Sequence, residues 1–63
     1  HKLAVADHLS GIAREAGVGH PDTLGTALAV LLDGAIVQSA VFGSVAPVAA
    51  ARSAAAILIA GAR

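Results

Sequence analysis

From Leu24 to Ala51 the chain carries a single formal charge, Asp33. A run that apolar has to be covered by something other than water, and its periodicity says by how many things. On a helical wheel at about 100° per residue, Leu24, Leu28, Leu31, Leu32, Ala35 and Phe42 form one broad stripe, and Ala27, Val30, Gly34, Val37 and Val41 form a second, well separated one. An ordinary surface helix has one apolar stripe turned to its core. Two stripes require two neighbours. Between them Thr26, Ala29, Asp33 and Ala40 make a narrow strip that is the route to solvent.

A lipid bilayer could cover such a helix, since about 20 mostly apolar residues suffice to span one. Asp33 would then lie near the bilayer centre at a cost of roughly 2.5–3.5 kcal/mol. Gly43, Ser44 and Pro47 interrupt the stretch, and with no Trp or Tyr in the chain nothing marks a membrane interface. Burial between protein surfaces accounts for the same hydropathy at lower cost, so no membrane partner is expected.

The second neighbour is expected to come from outside these residues. Of 63 residues 36 are hydrophobic, but 17 of those are alanine, which leaves seven Leu, seven Val, four Ile and one Phe as bulky core candidates. That is thin cover for a chain of this length, and short chains that fold alone commonly add disulfides, a metal or a partner subunit. With no cysteine, disulfides and thiolate metal sites are excluded. The sequence begins at His1 instead of a Met, so it reads as an internal or C-terminal segment of a longer chain.

Gly and Pro punctuation divides the chain into three helices and no strands. The first spans about 2–16, with Val5, Leu9, Ile12 and Ala16 on its apolar side, and Gly17 is placed to end it in a left-handed cap. Pro21 suits the first position of a second helix, over about 22–42, and Asp22 suits its positive end. Ser44 is a candidate N-cap for a third helix, over about 46–62, with Pro47 tolerated in the first turn. That helix sets Val48, Ala51, Ala55, Leu58, Ile59 and Ala62 on one side and Ala49, Ser53, Ala56 and Ala60 on the other. Small residues on both sides permit close approach of a neighbouring helix. Gly34 in mid-helix costs about 1 kcal/mol relative to Ala, and close helix–helix contact is the natural offset.

Catalytic chemistry is not legible. His1, His8 and His20 lack the spacing of a helical ligand pair, so no metal site is expected. Asp33 has no histidine at a supporting spacing and reads as a solvent-facing or interhelix residue. The serines lie in no nucleophile elbow, and the glycines in no phosphate loop. No cofactor and no enzyme activity are expected. Lys2, Arg14, Arg52 and Arg63 are scattered, net charge is zero and Phe42 is the sole aromatic, so this segment has neither the clustered cations nor the stacking platforms of a nucleic-acid surface.

Several strings carry a resemblance: Ala13-Arg14-Glu15-Ala16-Gly17-Val18, then Asp22-Thr23-Leu24, then Leu31-Leu32-Asp33-Gly34-Ala35-Ile36-Val37, then Ala50-Ala51-Arg52-Ser53-Ala54-Ala55. In this order and spacing, over nearly the whole chain, they resemble the C-terminal end of a TetR-family transcriptional regulator. His20 departs from the acidic residue that often precedes the proline, and Gln38 from a basic one. The resemblance implies an all-α dimerisation and ligand-sensing domain of a cytoplasmic bacterial repressor. Its last two helices would pair with those of a second subunit in a four-helix interface. A small-molecule effector would be held mainly by preceding helices, and DNA would be bound only by an N-terminal helix-turn-helix outside these residues. Joined to the two-stripe reading, it makes Val30, Gly34, Val37, Val41, Ala49, Ser53 and Ala56 the expected homodimer interface. The rival readings are a small helical oligomerisation module with no DNA role and a membrane-associated helical peptide.

Overall fold

The computed structural model describes the backbone of residues 2–63 and the side chains of residues 4–63; the His1 considered as a metal ligand and the Lys2 charge lie outside those descriptions. Three helices follow one another, α1 (Lys2–Glu15), α2 (Pro21–Phe42) and α3 (Ala46–Ala62), and among the described residues there is no strand.

Each break has a local cause. At the end of α1 the Val18 N–H donates to the Ala13 carbonyl (3.3 Å) and the Gly17 N–H to that of Arg14 (3.1 Å). Gly17 takes φ +79°, a conformation that costs glycine little. The paired bonds close the helix in the Schellman manner, and Val18 folds back on Ala13. Pro21 opens α2 directly after His20, whose side chain makes no capping bond. Gly43, at φ +60°, ends α2, and the Ser44 N–H donates to the Ser39 carbonyl. Ser44 is not itself the N-cap of α3, a position held by Val45. It stands one residue earlier and its hydroxyl accepts the Ala46 N–H at 3.1 Å.

α2 is the centre of the molecule. α1 and α3 each pack against it, and among the described residues no Cα of α1 comes within 8 Å of one of α3. The principal extents are 37 × 25 × 12 Å, and the smallest of them is about the diameter of one helix with its side chains. Stable domains bury their apolar faces between two packed layers. This chain supplies one. Its radius of gyration is 12.1 Å, against about 10.6 Å for a compact domain of this length.

The core is correspondingly small. Ala13, Val18 and Leu24 form a buried cluster, with Leu28 and Ala62 packed against it, and Ala35 is buried further along α2. No bulky side chain among those described is fully buried. α1 also sits differently from its expected apolar side. It meets α2 through Leu9, Ser10 and Ala13, while Val5 and Ile12 stay exposed, Ile12 by 51%. The cause is Gly25. A Cβ there would stand 2.6 Å from the Ser10 nitrogen and 2.8 Å from its Cα, so the two helices touch backbone to backbone and only small residues fit between them.

Candidate association surface

The first α2 stripe is only partly used. Leu24 and Ala35 are buried and Leu28 and Leu31 half-buried, but Leu32 is 50% and Phe42 68% exposed. Both broad sides of the layer are therefore apolar and open.

On one side all three helices frame a trough of about 390 Å³, lined by Leu9, Leu28, Leu32, Ile36, Val48 and Ile59 among others; Arg52 is its single charged residue. On the other side runs the outer seam between α2 and α3. One stretch, of about 370 Å³, is lined by Val30, Gly34 and Gln38 with Ala50 and Ala54. The next, of about 450 Å³, is lined by Thr23 and Ala27 with Ile57 and Gly61. Ala27 lies seven residues before Gly34, and Ala54 seven before Gly61. Two helical turns return to nearly the same side, so the stretches lie in line. No Lys, Arg, Asp or Glu lines this seam. Leu31, Ala35 and Ala51 belong to the walls of both the trough and the seam.

The seven expected interface residues are all exposed in the single chain, but they do not share one face. Val30 and Gly34 lie in the seam, and Val37 and Val41 continue their stripe, Val37 being 57% exposed. On α3 the residues nearer α2 are Ala51, Ala54, Ala55 and Ala62, each half-buried. Ala49, Ser53 and Ala56 lie about half a turn round from these and line neither the seam nor the trough. The α3 residues that share the seam with Gly34 are Pro47, Ala50, Ala51 and Ala54. Periodicity could not find them, because it does not say which side of an alanine-rich helix meets α2.

Among the described residues no three His, Asp or Glu side chains come together. His8, His20 and Asp33 are exposed. An ion pair between Arg14 and Asp22, at 2.7 Å, joins the end of α1 to the start of α2 with both side chains well exposed. What the arrangement offers chemically is apolar area. The chain exposes 4469 Å², where a folded monomer of 6.1 kDa shows about 3,650 Å². The excess, about 800 Å² over the whole chain, is similar in size to what each partner buries in a standard protein–protein interface. Compared with family models, curated proteins and solved structures, the chain matches none of them.

Proposed function

We propose that this chain is the association end of a ligand-responsive, DNA-binding regulator of the TetR kind, acting in the bacterial cytoplasm. In this reading the α2–α3 hairpins of two copies pack into a four-helix interface. They hold two DNA-reading heads, which lie outside these 63 residues, at half-site spacing. A small molecule bound mainly by other helices of the sensor domain shifts the balance between head separations that fit the operator and those that do not. No residue of this segment performs chemistry; its helices transmit. The trough is the side turned toward the rest of the sensor domain.

One observation carries the association part: a single layer of helices leaves both sides of α2 apolar and open, with about one interface's worth of surplus area. The regulator part rests on the resemblance of the four sequence strings. Sedimentation equilibrium of the chain in plain buffer tests the first, and a mass near twice 6.1 kDa is the expected result. A compact, helical species of 6.1 kDa would overturn it.

A membrane reading has its own observation. α2 is 22 residues long, and its most apolar 18-residue window has mean hydropathy 1.7 and is only 17% buried. Against it, Asp33 lies near the helix midpoint and α1 is seated on α2 backbone to backbone at Ser10 and Gly25. α2 cannot be surrounded by lipid without drawing in Asp7, in the middle of α1, a charge that is costly in a bilayer. A chain that stays in buffer as a helical dimer and ignores vesicles excludes this reading.

A further inference from the structure

The reading above leaves the small-molecule effector mainly to other helices. We infer that this chain also has a binding site of its own, for a medium-chain fatty acid anion whose alkyl tail lies in the trough and whose carboxylate meets Arg52. The inference does not rest on how two copies pair.

The lining sets the body of the ligand. All three helices contribute to the trough, and its volume of about 390 Å³ falls within the roughly 300–1,000 Å³ of small-molecule sites, which are mostly apolar with a few polar groups that fix orientation. Apart from Arg52 the lining is entirely Leu, Ile, Val and Ala. No wall side chain except Arg52 can hydrogen-bond, so polar groups along the body of a ligand would be desolvated without a partner. A plain hydrocarbon loses nothing there.

The one cation sets the head group. No carboxylate lines the trough beside Arg52, and its guanidinium fork matches a carboxylate through two parallel N–H bonds. One cation balances one negative charge, whereas a phosphate monoester, at about −1.5 to −2 near pH 7, would be left under-neutralised. Arg52 is exposed. The head group therefore stays at the water's edge and avoids the cost of burying an ion.

The register sets the length. α3 runs back along α2, since Gln38 shares one stretch of the seam with Pro47 and Ala27 shares the next with Gly61. Arg52 accordingly stands in the Ile36 half of the trough, and the tail runs toward Leu28 and Ile59. Leu28 to Ile36 is about 12 Å of helix at 1.5 Å per residue. An extended chain advances about 3.3–3.6 Å over the three backbone bonds of a residue, so about ten bonds span that distance and acids of about 8–12 carbons fit.

Calorimetric titration of the chain with hexanoate, octanoate, decanoate and decanol, each below the concentration at which it self-associates, tests the site. Affinity should rise roughly fourfold per methylene from hexanoate to decanoate. Decanoate should bind at least about tenfold tighter than decanol, as a hydrogen-bonded ion pair requires; simple adsorption on apolar surface favours the uncharged alcohol. Arg52→Gln should abolish that preference, and Arg63→Gln, which removes a cation outside the trough, should keep it. Ala55→Phe, which fills the trough, is the second variant should Arg52→Gln alter the helicity seen by circular dichroism, and it should weaken both ligands at least about tenfold. Equal binding of decanoate and decanol, or a preference that survives Arg52→Gln, overturns the inference. So does a chain that ignores decanoate, which leaves the trough as the seat of a protein segment. Sedimentation of the same samples keeps the two readings apart: a dimer that ignores decanoate overturns this inference alone, and a folded monomer that binds it overturns the association reading alone.

Discussion

Ser10 and Gly25 touch through their backbones: the place a Cβ would take on Gly25 is filled by the Ser10 main chain and hydroxyl. This contact, and not a row of large side chains, sets where α1 lies on α2. Adding one methyl forces the helices apart, and overpacking of that kind costs roughly 1–3 kcal/mol. Gly25→Ala should therefore lower the urea midpoint despite the better helix propensity of alanine, whereas Gly34→Ala should not lower the stability of the dissociated chain.

The Arg14–Asp22 bridge, at 2.7 Å, is short but exposed. Exposed pairs couple by about 0.2–1 kcal/mol and are screened by salt. A double-mutant cycle with Arg14→Ala and Asp22→Ala should return a coupling inside that range at low ionic strength, falling toward zero at about 1 M salt.

Ser39 presents the opposite case. Its hydroxyl oxygen is buried and has no hydrogen-bond partner, although its carbonyl accepts the Ser44 N–H beyond the end of α2. An unpaired buried hydroxyl costs on the order of 1 kcal/mol, and alanine is the better helix former. Ser39→Ala should raise the denaturation midpoint, with a gain of about 1 kcal/mol.

Gly43 holds φ +60° where α2 gives way to α3. A side chain in the left-handed region costs roughly 1–2 kcal/mol. Gly43→Ala should lose about that much by chemical denaturation, and Gly17→Ala, at φ +79°, a similar amount.

These positions also show how far the residues could be read in advance. The three helices and their breaks follow from Gly17, Pro21, Gly43 and Pro47, whose backbone preferences are local, so α2 and α3 begin and end within a residue of expectation. The second stripe of α2 was legible for the same reason, since periodicity alone sets Val30, Gly34, Val37 and Val41 on one side. The seating of α1 was not legible. It depends on a backbone contact between Ser10 and Gly25, and apolar spacing favours Val5 and Ile12, which the fold leaves exposed. The α3 side of the seam was missed because helix crossing sets it, and a helix with alanine on every face carries no mark of the crossing. Small size does not set Ala49, Ser53 and Ala56 apart from Ala50 and Ala54, which are as small and line the seam with Gly34.

Leu31, Ala35 and Ala51 form a partition one side chain thick, with a hollow on either hand. Nothing can lean on it from the left without being felt on the right. A bulkier residue at Ala35 would reshape both hollows at once, so whatever fills one and whatever fills the other must have come to terms through the same three side chains.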